Sequence, residues 1–340
     1  MKKFIFLSLS LIFLSCKTTQ KPSEDDLFKI AFGSCNLQDK DQSYWELIGS
    51  ENPDAFIWGG DNIYADTEDM DEMERMYAQQ KTNAYYQKFI YQLDNKVYGT
   101  WDDHDYGLND GGVNWEYKDQ SQQLLLDFLD VEDSERRNRK GIYSSEIIKV
   151  KGHEIKVIIL DTRYFRSDLQ KSSNQSKRYK ASQDAELTLL GEKQWKWLDE
   201  ELKESNADYH LIVSSIQVLS HQHGFETWGN FPSEVEKLEN LLVKRQVKNP
   251  LILSGDRHIS EFSQKEIEGL DVPLTDFTSS GLTHAYTGFS GEENEYRVGK
   301  VVPKISYGLI EFDFENNQLL LEIKSTKNNK QLQKLVLQMK

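Results

Sequence analysis

Six short apolar runs, at 28–33, 55–58, 96–100, 155–160, 210–214 and 250–254, constrain this chain most. Their length suits buried β-strands. Helical patterns lie between them. At 192–202 (EKQWKWLDEEL) Trp195, Leu198 and Leu202 share one face with charges opposite, 235–243 repeats the pattern, and 71–93 reads as one long polar helix. Strands alternating with helices predict an α/β sheet core. Towards the end, 305–314 and 318–325 alternate in polarity and are joined by Glu315-Asn316-Asn317, which predicts an antiparallel hairpin, extended by 331–338.

The residues just after these runs point to chemistry. The first run leads into Gly33-Ser34-Cys35-Asn36, the second into Gly59-Gly60-Asp61-Asn62-Ile63-Tyr64, the third into Trp101-Asp102-Asp103-His104-Asp105, and the last into Gly255-Asp256-Arg257-His258. Ligands of open α/β sheets bind at the carboxyl ends of strands, so four strand ends bring metal-ligating residue types to one edge. The glycines before Asp61 allow a sharp turn, and its carboxylate can bridge two cations. Alone, Asp61 could equally cap a helix and Tyr64 belong to the core. Asp103 can bind a hard cation, and His104 beside it can donate a proton or hydrogen bond to a substrate oxygen. Crowding of Asp102, Asp103, Asp105 and Asp110 is costly unless cations or solvent relieve it. Asp256 and His258, two apart, point the same way, and Arg257 points elsewhere, into a structural ion pair.

The amino terminus reads as a targeting segment. Lys2 and Lys3 precede an apolar stretch at 4–14, too short to span a membrane, which ends in Phe13-Leu14-Ser15-Cys16. This resembles a bacterial lipobox, so residues 1–15 are expected to be a lipoprotein signal peptide, Cys16 the lipidated residue, 16–26 a flexible tether and 27–340 one catalytic domain. The chain is then exported and anchored to a bacterial membrane through its lipid. The only other cysteine is Cys35. With Cys16 lipidated it has no partner in the chain, leaving metal ligation or burial as a small apolar side chain. The net charge of −15 argues against nucleic-acid partners, and cations would have to draw in an anionic substrate.

The ordered motifs resemble those of the alkaline phosphatase D (PhoD-like) metallophosphoesterases: GSCN at 33–36, GGDNIYAD at 59–66, GTWDDHDYG at 99–107, LDTRYFR at 160–166, LGEKQWKWLDEEL at 190–202, SSIQVL at 214–219, GDRH at 255–258 and DFTSSGLTH at 276–284. The resemblance implies a calcineurin-like β-sandwich flanked by helices, with metals at the strand ends. It implies iron(III) held by Cys35, Asp61, Tyr64 and His258, and calcium held by Asp61, Asp103 and Asp256, with Asn36 or Asn109 completing a calcium shell. Thiolate and phenolate suit a trivalent or soft metal, and carboxylates suit calcium. The absence of an extra β-rich domain before the core is expected of a shorter, phospholipase C-like branch. The implied reaction is hydrolysis of a small phosphate mono- or diester, a phospholipid head group among the candidates, by a hydroxide made available by the metals, in a monomer. His104 is the expected proton donor. Arg163 is the expected phosphate clamp, unless it pairs with Asp161. His221, His223 and His284 are weaker candidates for lining the site, and Tyr164, Phe165 and Trp228 for seating the leaving group. Two rival readings remain. A paired-carboxylate glycosidase using Asp61 and Asp103 leaves Cys35 and the Asp256/His258 pair unexplained. A surface lipoprotein binding calcium or phosphate without catalysis needs neither Tyr64 nor His104.

Overall fold

The computed structural model describes residues 27–132 and 135–340; the expected signal peptide, Cys16 and the tether lie outside the described residues. In chain order the strands are β1 (Phe28–Gly33), β2 (Ala55–Gly59), β3 (Val97–Thr100), β4 (Ser144–Val150), β5 (His153–Ile159), β6 (Tyr209–Val213), β7 (Pro250–Ser254), β8 (Ser260–Lys265), β9 (Leu274–Ser279), β10 (Arg297–Val302), β11 (Ser306–Asp313), β12 (Gln318–Ser325) and β13 (Gln331–Gln338). They form a six-stranded sheet, ordered β13-β12-β11-β1-β2-β3, and a seven-stranded sheet, ordered β10-β8-β9-β7-β6-β5-β4.

Side chains alternate across a strand, and the packing follows that period. Val157, Ile159, Leu211, Val213, Leu251 and Leu253 pack with Ile30, Phe32 and Leu309 of the other sheet. Their neighbours Ile158, Ile212 and Ile252 pack instead with Trp195, Leu198 and Leu238. The seven-stranded sheet is thus covered on one side by its partner sheet and on the other by the helices Gly191–Lys203 and Pro232–Lys244. Such double coverage explains the unbroken apolar runs. Phe32 meets Phe277 edge to face across the sandwich, 4.7 Å between centroids. The outer side of the first sheet carries a second aromatic layer in which Trp45 lies against Phe56, Trp58, Tyr86 and Phe89.

β1, β2 and β3 run parallel, as do β5, β6, β7 and β9. Their carboxyl ends therefore share an edge in each sheet. There the sheets touch through an isolated bridge between Ser34 and Ser280. The hairpin and its extension form as expected, Ser306 pairing with Ser325 and Asp313 with Gln318. The single helix expected over 71–93 is instead two, Met70–Lys81 and Ala84–Gln92. Asn83 breaks it: its backbone is extended, and its side-chain oxygen accepts from the N–H groups of Tyr85 and Tyr86, a helix start that asparagine favours. β4, β8, β9 and β10 carry too many polar residues to announce themselves. Among the described residues no helix is long and apolar enough to cross a membrane.

Candidate metal centre

The chain leaves β1, β2 and β7 through strained turns. Cys35, Asp61, Asp256 and His258 all have positive φ, between 51° and 66°, a region that costs a non-glycine residue roughly 1–2 kcal/mol. Strain at four of the six expected metal ligands is what a site held by its surroundings looks like. The turns support one another. The Asn36 N–H donates to the Asp61 carbonyl at 2.9 Å, and the Gly281 and Leu282 N–H groups donate to the Ser34 carbonyl. Gly60 also has positive φ, and a Cβ there would sit 2.6 Å from that of Asp102; glycine lets the Asp61 turn nestle against the Asp102-Asp103 turn.

The six candidates converge. The Cys35 Sγ lies 3.3 Å from Asp61 Oδ2 and 3.0 Å from Ser280 Oγ. Tyr64 Oη lies 3.3 Å from the same Asp61 oxygen and 2.9 Å from His258 Nε2. Ligand atoms of Cys35, Asp61 and His258 fall within 4.8 Å of one another, and the same holds for Asp61, Asp103 and His104, and for Asp102, Asp103 and Asp256. Asp61 is common to the first two groups and Asp103 to the last two, so one cluster grades into the next. Cys35 is buried and unpaired.

The electrostatics of the bare site are those of carboxylates wanting cations. Burial, reinforced by Cys35, Asp102 and Asp103, pushes the Asp61 carboxyl well above the usual range. Burial, with Asp102 and Asp103, does the same to Asp256. Burial pushes the Cys35 thiol up to about 11. Burial opposes ionisation of Asp103 too, but the charges of Arg163 and His104 and the Asp110 N–H hold its carboxyl below the ordinary value. Asp103 Oδ1 and Asp102 Oδ2 are buried and accept no hydrogen bond. Burial, with His284 and His104 nearby, lowers His258 to about 3, which leaves a neutral imidazole, the form that ligates metals. A thiol, a phenol, a neutral imidazole and three carboxylates, each with an orphaned or crowded oxygen, fit cations.

His104 sits at the rim. Its Nδ1 donates to Asp66 Oδ2 at 2.6 Å, and Nε2 is 3.9 Å from Asp103 Oδ1. Burial works against its charge, but Asp61, Asp66 and Asp103 outweigh burial and raise its pKa to about 10. The site opens into a cavity of about 420 Å³ whose wall includes Asp103, His104, Asp256, His258, Asn109 and Glu226. Asn109 donates to Asp103 Oδ2 at 3.0 Å. His284 lies against His258, centroids 4.4 Å apart, and near Tyr64.

Other expectations are corrected. Arg163 does not reach the cavity. Its side chain is fully buried, donating to Asp102 and, at 2.6 Å, to Glu226. It is not paired with Asp161 either; that carboxylate accepts from the Arg163 backbone N–H. Asn36 is fully buried, its amide shared among Asn62, Gln80 and Tyr44. His221 lines a different cavity, beside Gly229 and Tyr296. His223 is buried and accepts the Phe225 N–H. Trp228 is core, donating to Ser214, and Tyr164 is buried against Asp119. Arg257 forms the expected ion pair, with Glu292, but it does not point away from Asp256 and His258: all three line one cavity. Residues that the sequence did not mark are Asp66 behind His104, and Arg178, Phe225, Glu226 and Tyr286 in the cavity wall.

A family model described as PhoD-like phosphatase matches residues 30–297. The chain belongs to the PhoD-like phosphatase family. Of the curated PhoD-like proteins, alkaline phosphatase D of Bacillus subtilis (strain 168) is 26% identical over 140 residues, 36% of this chain and 24% of that protein. The matched stretch thus spans about a quarter of the relative's length. A solved structure of PhoD superposes with a TM-score of 0.66 at 16% identity, covering 91% of this chain and 68% of the other. The anchor protein of the Plasmodium inner membrane complex does so with a TM-score of 0.59 at 13% identity, covering 92% and 89%. At these identities the structural likenesses establish the fold: the PhoD-like sandwich expected from the motifs.

Proposed function

We propose that this chain is a metal-dependent phosphoric ester hydrolase acting on small phosphate mono- or diesters. The observation that carries the reading is the convergence of thiol, phenol, imidazole and carboxylates from four strand ends on one cluster, of which Asp103, Asp256 and His258 line a cavity, in a member of the PhoD-like family. Cys35, Asp61, Tyr64 and His258 would hold iron(III), and Asp61, Asp103 and Asp256 would hold calcium. When bound, such cations lower the pKa of water so that hydroxide is available near neutral pH, and neutralise charge on phosphoryl oxygens.

The chain's own residues supply the rest. Asp61, Asp66 and Asp103 favour the charged form of His104, which would give Nδ1–H to Asp66 and keep Nε2–H for a substrate oxygen. Cations among the same carboxylates would draw its pKa down towards neutrality, the range suited to protonating a leaving alkoxide. Asp66 fixes the ring. The half-exposed Phe225 and Tyr286 offer apolar surface to an organic leaving group. Export and anchoring through Cys16, and a monomeric state, complete the proposal on sequence grounds alone.

Hydrolysis of p-nitrophenyl phosphate and its bis-ester, before and after chelation, tests the reading. Chelator should abolish turnover and Asp61→Asn should remove it; full activity in metal-free Asp61→Asn protein would refute it. A second reading, binding without catalysis, draws on one observation: the Plasmodium anchor protein shares the fold. It gives the His104–Asp66 pair no role, and absence of turnover by fully metallated protein would favour it.

A further inference from the structure

Besides His104, the cavity wall contains two cationic side chains, Arg178 and Arg257. They differ in availability. Arg257 is buried, donates to both Glu292 oxygens at 2.7 and 2.8 Å, and has its guanidinium 4.1 Å from the Phe225 ring centroid. Arg178 has 53% of its side chain exposed and an ion pair with one carboxylate, Asp110, at 2.8 Å. A guanidinium carries five N–H donors, so most of the fork is free for an anion.

Nor is Arg178 on a loose surface loop. Its backbone N–H and that of Tyr179 both donate to the Gly224 carbonyl, at 2.8 and 2.9 Å. A Cβ at Gly224 would come within 2.5 Å of Lys177 Cα, so glycine is what lets the two loops touch. The Tyr179 hydroxyl donates to Asp110 at 2.6 Å, and the Asp110 N–H donates to Asp103 Oδ2 at 2.7 Å. Arg178 is thus held in the cavity wall, two links from an expected cation ligand. The chain carries a net charge of −15, and Arg163, the arginine its motif offered, is sealed in the core.

We infer that Arg178 is the substrate-anion residue: it takes a non-bridging phosphoryl oxygen and thereby favours dianionic monoesters over monoanionic diesters. The inference rests on the phosphoester reading above. Being half-exposed, the guanidinium can exchange Asp110 for phosphate at little desolvation cost, and it matches two phosphate oxygens in geometry. A monoester dianion offers three charged oxygens to the cationic groups of the site and a diester only two sharing a single charge, so a diester has less charge left for the guanidinium.

The test uses the metallated full chain with p-nitrophenyl phosphate, bis(p-nitrophenyl) phosphate and inorganic phosphate. Turnover of either ester by the wild type establishes the phosphoester reading on its own. In Arg178→Gln, KM for the monoester and the phosphate inhibition constant should each rise about tenfold, the loss of one charge-assisted contact. The monoester-to-diester ratio of kcat/KM should fall by the same factor, with kcat changed less than about twofold. Arg178→Lys should recover part of the loss, and Gly224→Ala should shift the ratio the same way. Equal losses on both esters, or an unchanged ratio with unchanged phosphate inhibition, overturn the inference. Should the wild type turn over neither ester, the earlier reading fails, and calorimetric titration with phosphate still decides: wild-type affinity in Arg178→Gln ends the assignment.

Discussion

Replacing Arg163 with methionine separates the two jobs an arginine at this position can do. A clamp on the substrate would be lost at little cost to the fold. A buried link between carboxylates would be lost at a large one. The structure favours the link. Arg163 is wholly enclosed, its Nε donating to Asp102 Oδ1 at 2.7 Å and its Nη1 to Glu226 Oε2 at 2.6 Å. Even with this cation beside it, burial raises the Asp102 carboxyl to about 7. Arg163→Met strands both acids in a low-dielectric interior, where Glu226 keeps only Arg166, 2.9 Å away. Breaking a buried pair by removing one member costs about 3–5 kcal/mol. Unfolding a chain of 340 residues carries an entropy of about 0.7 kcal/mol/K, so Tm should drop by about 4–7 °C. Thermal unfolding followed by circular dichroism, on metallated and on chelated protein, measures this. Adding Glu226→Gln to Arg163→Met should cost less than the sum of the two single changes, because the carboxylate it removes has already lost its partner. The reasoning fails if Arg163→Met melts within roughly 1 °C of wild type while phosphate affinity collapses; Arg163 would then be the clamp.

The geometry carries two further outcomes. Cys35→Ser should keep the fold, since serine fits the space beside Ser280, but should lose iron; metal analysis showing full iron with an unchanged visible spectrum would assign the thiol to packing alone. His210, far from the centre, is buried, donates Nδ1–H to the Lys248 carbonyl and accepts at Nε2 from Ser205. Burial lowers its pKa to about 4. The unfolded chain binds that proton near 6.5, so stability present above pH 6.5 is lost as pH falls towards 4, at up to about 1.4 kcal/mol per pH unit. His210→Gln should flatten that part of the stability profile, and an identical slope in the variant would contradict the assignment.

How much of this is legible depends on distance along the chain. Five of the six apolar runs match strands nearly residue for residue, because double coverage by sheet and helices demands continuous apolar sequence. β8 and β10 stay hidden, as edge-side strands with polar sequences such as SEFSQK do. Asn83 has the capping preference to signal a break, but the helical period runs on past it and masks that signal.

By itself, the sequence determined where the expected cation ligands stand. Asp61, Asp103, Asp256 and His258 each come within a few residues of the end of an apolar run, and parallel strands deliver their ends to one edge whatever else the chain does. The tertiary structure alone decided what surrounds them. The Asp-Thr-Arg motif at 161–163 reads the same whether its guanidinium faces substrate or core; only the packing of Asp102 and Glu226 around it settles that. Arg178, Phe225 and Tyr286 come from loops far apart in sequence, brought together by contacts such as that of Arg178 with Gly224. Such contacts leave no periodic trace, because loop positions answer to the bodies they join and not to their own neighbours.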